Sequence, residues 1–255
     1  MNRHMHKATT LAIAILLSSS LAAAAEGLKL YGPGGPAPAM KEIATAYEAE
    51  TGITVEITAG PSSKWMDDAK ADADALFSGS QNMMDDFIAA HGEIVADTVE
   101  PLYLRPSTIL VRPGNPKGIE GAMSLIEDDV AVMVVDGAGQ VGMWEDVIGR
   151  TRDVANMKKF RDNIVFSAPN SGEAKKRWIE DEAIDAWLIW NHWQTDNPDI
   201  AGQVPVEPEL AIYRDVSVAE TAKGAGNADL DAFLDYLKGD AAAKIFADHG
   251  WKKTF

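Results

Sequence analysis

The chain has 255 residues, with 39 acidic against 23 basic side chains for a net charge of −16 at pH 7, and it contains no cysteine. That charge argues against nucleic acid and anionic lipid as partners, since an acidic surface repels both. Without cysteine there is no disulfide framework, thiolate metal site or lipid-anchored cysteine, so the apolar core must hold the fold.

Residues 1–25 read as a secretory signal peptide: Arg3 and Lys7 give the basic start, Leu11 to Leu21 the apolar stretch, and Ala22 to Ala25 the small residues before cleavage. Its apolar stretch is short for a bilayer span, and no later one reaches the roughly 18 uninterrupted apolar residues a span needs. The mature chain is therefore expected in the periplasm, outside the membrane. Roughly 230 residues remain, enough for one large domain or two ordinary lobes.

From Leu28 an apolar run breaks at Gly32-Pro33-Gly34-Gly35-Pro36 and enters a helix through Met40, Ile43, Ala44 and Tyr47, which Gly52 is placed to end. Glycines at such a break let the backbone approach a ligand, and the helix behind points free N–H groups into the gap, a seat for an anion. Gly34 and Gly35 are the first candidates.

Ile53, Val55 and Ile57 alternate as a strand into Ala59-Gly60-Pro61-Ser62-Ser63-Lys64-Trp65, where Ser62 or Ser63 can cap the next helix or donate to a ligand, and Lys64 adds a cation. Asp67, Asp68, Asp72 and Asp74 lack calcium-loop spacing and read as a solvated face. Ala75 to Phe77 forms a short buried strand ending in Ser78-Gly79-Ser80-Gln81-Asn82, a donor-rich loop that opens another helix. His91, His192 and His249 show no metal-ligand spacing and read as surface or hydrogen-bonded side chains.

Pro101 to Arg112 is extended, with Arg105 either facing a cleft or lying at the surface, and Pro113-Gly114-Asn115-Pro116 ends it. The pattern then restarts. Val130 to Val135 reads as a strand buried on both faces, ending at Asp136-Gly137-Ala138-Gly139-Gln140 before a helix. After a helix at Asp153 to Arg161, Ile164 to Phe166 leads into Ser167-Ala168-Pro169-Asn170-Ser171-Gly172, where Asn170 or Ser171 caps a helix or faces a ligand. Ile184 to Trp190 is a further apolar run, followed by Asn191. Val204 to Tyr213 reads as an extended return strand, broken by prolines, passing through Arg214 to Val218, and two helices around Leu230–Leu237 and Ile245–Phe246 close the chain at Gly250-Trp251.

Strands alternating with helices imply an α/β fold whose ligands bind beyond the carboxyl ends of the strands, where these loops lie. Two crossings, near Tyr103 to Leu110 and Ala211 to Ser217, make a two-stranded hinge if the return strand re-enters the first lobe.

The leader, this grammar and the closing helix pair resemble type II periplasmic solute-binding proteins. Leu30-Tyr31-Gly32-Pro33-Gly34-Gly35-Pro36, Ala59-Gly60-Pro61, Phe77-Ser78-Gly79-Ser80-Gln81-Asn82-Met83-Met84, Asp136-Gly137-Ala138-Gly139-Gln140 and Ala168-Pro169-Asn170-Ser171-Gly172 resemble the accessory colonization factor family within that group. The resemblance implies two lobes, 26–106 with 215–255 and 107–214, each a mixed, mainly parallel sheet flanked by helices. It implies an oxyanion or small phosphorylated or polycarboxylate metabolite held between them, delivery to an ABC-type inner-membrane permease, and a colonization role; the sequence does not fix the oligomeric state, and a homodimer stays open. Similar molybdate binders place a tyrosine after Asp-Ala-Gly-x-x, where this chain has Asp185-Ala186-Trp187-Leu188-Ile189-Trp190. Trp190 has an indole N–H but no hydroxyl, which favours an organic anion over bare sulfate or molybdate.

The expected ligand contacts are Gly34, Gly35, Ser62, Ser63, Lys64, Trp65, Ser78, Gly79, Ser80, Asn82, Arg105, Gly137, Gly139, Gln140, Asn170, Ser171, Gly172, Trp190 and Asn191. No metal or other cofactor is expected. Gly-x-Ser-x-Gly, His-Glu-x-x-His, phosphate-loop and dinucleotide signatures are absent from the sequence, so a binding protein is expected rather than an enzyme, with an adhesin acting through surface contacts as the alternative.

Overall fold

The computed structural model describes residues 27–255; the signal peptide expected at residues 1–25 lies outside them. The first half of the chain forms β1 (Leu28–Gly32), α1 (Ala37–Thr51), β2 (Val55–Ala59), α2 (Met66–Asp72), β3 (Ala75–Phe77) and α3 (Gln81–His91). A long strand, β4 (Glu100–Val111), leads to β5 (Val132–Val135), α4 (Met143–Gly149), α5 (Val154–Asn163), β6 (Ile164–Ala168), α6 (Ser171–Glu180), β7 (Ala186–Trp190), the one-turn α7 (His192–Thr195) and β8 (Gly202–Pro205). The strand β9 (Tyr213–Glu220) and helices α8 (Ala228–Lys238) and α9 (Asp240–Asp248) complete it.

The strands form one curled mixed sheet in the order β2-β1-β3-β9-β4-β7-β5-β6, with β8 also on β4. β1 runs parallel to β2 and β3, and β5 parallel to β6 and β7, as strand-helix-strand connections require. β4 joins the two parallel groups. Its residues Glu100 to Pro106 pair antiparallel with β9, whereas Ser107 to Val111 pair with β7 and β8.

Local chemistry accounts for the elements. In α1 prolines at the first turn preset φ, Met40, Ile43, Ala44 and Tyr47 face inward, and Gly52 at φ 76° turns the chain back so that its N–H reaches the Glu48 carbonyl. Apolar side chains gather separately on either side of the β4 midpoint. One cluster, including Phe77, Tyr103, Val216, Phe233 and Phe246, fills the β1–β3 side. Another, including Ile109, Val132, Phe160, Trp178 and Trp187, fills the β5–β7 side.

Two sequence expectations need correction. The return strand expected from Val204 to Tyr213, broken by prolines, is two separate strands, β8 and β9, divided by a turn at which the amides of Leu210 and Ala211 donate to the Glu207 carbonyl. The Glu207 carboxylate meanwhile accepts from the amides of Ala122 and Met123, which pins the turn to the opposite loop. The aspartates before β3 are not all solvated. Asp67 and Asp68 are exposed, but Asp72 accepts from Lys29 Nζ and the Tyr31 hydroxyl, both at 2.7 Å, and buried Asp74 accepts from the Lys29 amide and Lys223 Nζ. These carboxylates fasten the start of β1 to the approach of β3.

Phe233 is fully buried while Val154 is 83% exposed. Urea unfolding should show Phe233→Ala costing about 3–5 kcal/mol and Val154→Ala changing stability by less than about 0.5 kcal/mol.

Candidate functional site

The loops at the carboxyl ends of β1, β2, β3, β5 and β6 converge on a cleft of about 660 Å³ at the β4–β9 crossing. Gly34, Gly35, Ser62, Ser63, Gly79, Arg105, Gly139, Gln140, Asn170, Ser171 and Gly172 all line it. Ser80 and Asn82 line an adjoining cavity of about 740 Å³ that shares Pro33, Gly60, Ser62, Ser63, Met83 and Asp86 with the first.

Arg105 forms the floor. It projects from the middle of β4 with 2% of its surface exposed, between the rings of Trp190 at 4.8 Å and Trp251 at 4.6 Å. Its Nη2 donates to the Gly79 carbonyl at 2.8 Å, its Nε has no partner, and no carboxylate lies within 4.0 Å of it among the described residues. Burying an ion costs several kcal/mol. Against that, each cation–π contact returns roughly 0.5–2 kcal/mol and one hydrogen bond about 1.5–3 kcal/mol. With Nε unpartnered and one hydrogen bond in all among the described residues, the cation keeps donor capacity that an arriving anion would use. Burial, and then the neighbouring charge of Arg214, bring the Arg105 pKa down to about 9, with Asp215 partly opposing; the guanidinium is still charged at neutral pH.

Glycine makes this floor possible. A Cβ on Gly35 would stand 3.0 Å from Arg105 Nη1, and one on Gly79 or Gly139 would stand 3.1 or 3.2 Å from Nη2. Three loops thus press bare backbone against one guanidinium. Gly137 does not line the cleft. A Cβ there would lie 2.1 Å from the Pro169 carbonyl, so this glycine lets the loop after β5 run against the loop after β6.

The open capping choices resolve by hydrogen bonding. Asn170 caps α6 by accepting from the Glu173 amide, and Ser80 caps α3 by accepting from the Met83 amide. Ser171 Oγ accepts from Gln140 Nε2 at 2.9 Å, joining two walls. Neither Ser62 nor Ser63 caps a helix; both are exposed at the mouth. The first turns of α3 and α6 therefore present unbonded backbone N–H groups beside the cleft.

Several expected contacts sit elsewhere. Lys64 is exposed and lines neither cavity. Trp65 is buried against Tyr31 and Phe87, and its indole N–H donates to the Gly60 carbonyl, supporting that loop from behind. Ser78 bonds Ser217 across β3 and β9 at 2.8 Å. Trp190 spends its indole N–H on the Gly139 carbonyl at 3.3 Å, and Asn191 donates to the Gly250 carbonyl at 2.7 Å. Trp65, Ser78, Trp190 and Asn191 thus brace the floor and walls.

Other residues escaped the sequence reading. Arg214 pairs in register with Arg105 across β4 and β9, donating to the Gly139 and Val141 carbonyls and to Asp146. Asp86 and Met83 line both cavities, and Trp193 and Pro169 line the first. Only the strand register brings Arg214 to the site, and nothing local in the sequence announces it. His192, expected at the surface or hydrogen-bonded, is buried with both ring nitrogens unpartnered, stacked on Trp251 at 5.3 Å. Burial, then the fields of Arg105 and His249, hold it well below the usual histidine range, so it is neutral.

A family model described as bacterial extracellular solute-binding protein matches residues 28–252, and the chain belongs to that family. Among solved structures it is similar to PEB3 bound to L-phospholactate, at 38% identity and a TM-score of 0.83 over 88% of this chain and 99% of that one. PEB3 from Campylobacter jejuni matches at 37% identity and a TM-score of 0.82, with the same shares covered. The sulfate-binding protein SubI from Mycobacterium tuberculosis H37Rv shares the fold at 16% identity and a TM-score of 0.71, over 89% of this chain and 87% of that one. No curated protein matches by sequence. No helix among the described residues is long and apolar enough to cross a membrane.

Asn170→Ala, which removes the α6 cap, should cost about 1 kcal/mol in a denaturant melt. Ser63→Ala, which removes an unbonded hydroxyl at the mouth, should leave the melt unchanged.

Proposed function

We propose that this chain is a periplasmic receptor for a small organic anion with more than one negatively charged group, phosphorylated or polycarboxylic, delivered to an ABC-type permease. The observation that carries the reading is Arg105, a buried guanidinium without a carboxylate partner at the meeting point of five loops. A planar fork suits carboxylate or phosphate oxygens, and charge-assisted bonds to a desolvated cation are the strong kind. The N–H groups at the starts of α3 and α6 and the hydroxyls of Ser62, Ser63 and Ser171 would engage the remaining oxygens.

Two features favour an organic anion over a bare tetrahedral one. The cleft continues into a second cavity whose wall includes Met66, Phe87 and Ala90, room for a carbon skeleton. Trp190 stands where molybdate binders offer a hydroxyl, and its only donor is already engaged. The similar PEB3 structure holds L-phospholactate, which carries both a phosphate and a carboxylate.

In this reading residues 26–106 with 215–255 form one lobe and 107–214 the other, hinged where the chain crosses between them in β4 and at the start of β9. Ser107 and Ile212 bond each other at that crossing, at 2.8 and 3.1 Å. Closure about the two strands would bring the Gly139–Gln140 and Asn170–Gly172 walls onto an anion resting on Arg105. The leader places the receptor in the periplasm, and membership of the accessory colonization factor group rests on the five loop motifs.

A thermal-shift screen of phospholactate, phosphoglycerate, citrate, phosphate, sulfate and molybdate should give at least one shift that grows with ligand concentration as RT ln(1 + [L]/Kd). No shift across the set would remove the basis of the proposal. Arg105→Met should leave the empty protein as stable or more stable, because it removes an unpaired buried ion, yet weaken the anion at least about 100-fold, or roughly 3 kcal/mol.

A further inference from the structure

His249 ends α9, away from the cleft, yet it touches elements on both sides of it. Its Nδ1 lies 2.8 Å from Asp196 Oδ1 and its Nε2 lies 3.0 Å from Glu42 Oε2. Glu42 belongs to α1, one turn behind the Gly34–Gly35 wall. Asp196 directly follows α7, whose Trp193 lines the opposite wall. The adjoining residues run beside the crossing strand: Gly250 accepts from Asn191, and Lys252 exchanges backbone hydrogen bonds with Leu104 of β4 at 2.8 and 2.9 Å.

A neutral imidazole has one N–H and one bare lone pair, whereas the imidazolium donates from both nitrogens. Two carboxylates at hydrogen-bond distance from the two nitrogens are both satisfied only by the charged ring. We propose that His249 is a positioning residue which, when protonated, clasps the two walls of the cleft together and, when neutral, lets them part. The proposal deepens the receptor reading and rests on its two lobes.

The sign follows from the surroundings. Burial alone pulls the His249 proton affinity down, but the hydrogen bonds and charges of Asp196 and Glu42 outweigh it, so the ring titrates above the ordinary 6.5. Asp196 itself is pushed up by burial, partly opposed by the histidine. Lys244 and Asp248 on the same helix pair with each other at 2.7 Å, and on the α7 side His192 is neutral with the Arg105 cation beside it. The clasp is therefore complete at mildly acid pH and is lost as pH rises through the raised value, when one carboxylate faces a bare lone pair.

Because the chain contains no cysteine, Asp67→Cys and Lys176→Cys place dyes on exposed positions of the two sides without competing thiols. In the ligand-free protein, energy transfer between them should fall as pH rises from 5.5 to 8.5. His249→Gln should hold transfer at the alkaline value throughout, and Glu42→Gln, which removes one supporting charge, should move the midpoint to lower pH. Constant transfer in the parent, or a parental pH response in His249→Gln, would overturn the proposal. If His249→Gln does not fold, an unmoved midpoint in Glu42→Gln overturns it alone. No ligand enters the measurement, so this failure stays separate from failure of the anion reading.

Discussion

A guanidinium held out of water with too few partners is the constraint to which the rest of the site answers. Arg105 needs its neighbours to come close, so three loops meet it with glycine; it needs aromatic faces, so Trp190 and Trp251 enclose it; and its strand must reach the centre of the molecule, so β4 is long enough to serve two groups of parallel strands. None of these contacts neutralises it. Among the described residues its Nε stays without a partner and no carboxylate stands beside it, and that uncompensated charge would make the cleft attractive to a negative solute although the chain as a whole is strongly acidic.

The pairing of Arg105 with Arg214 adds to this. Like charges directly opposite on adjacent antiparallel strands disfavour each other, and here both lie at the junction of the two strand groups. Arg214 is relieved by Asp146 and by the carbonyls of the loop after β5, so one arginine stiffens a wall while the other keeps an unpartnered Nε. The proposed anion seat and one wall of the cleft are thus built from neighbouring positions on one ribbon.

Much of the fold was legible because its signals are local. Gly52, Asn170 and the alternation of Ile53, Val55 and Ile57 each announce an element through its own backbone chemistry, and the glycine loops mark the ends of strands. What failed to show depends on pairing between distant segments. Prolines mark a break after Val204, but the turn between β8 and β9 is held by Glu207 binding amides some 85 residues away, and Arg214 becomes a site residue only through its register with Arg105. Trp65, Ser78, Trp190 and Asn191 lie in the expected loops or at their edges but turn inward, because a loop carrying a ligand surface needs polar and aromatic support beneath it. Sequence places a loop at the site more readily than it tells which face of the loop meets the solvent.

The location of Arg105 at the midpoint of β4 has a mechanical consequence. A charge fixed on the axis about which two bodies turn moves little when they turn, while points farther out sweep through larger arcs. In a receptor hinged as proposed, the charged end of a captured solute would keep its anchor throughout opening, and departure would proceed from the rim inward, with the strongest bond the last to break.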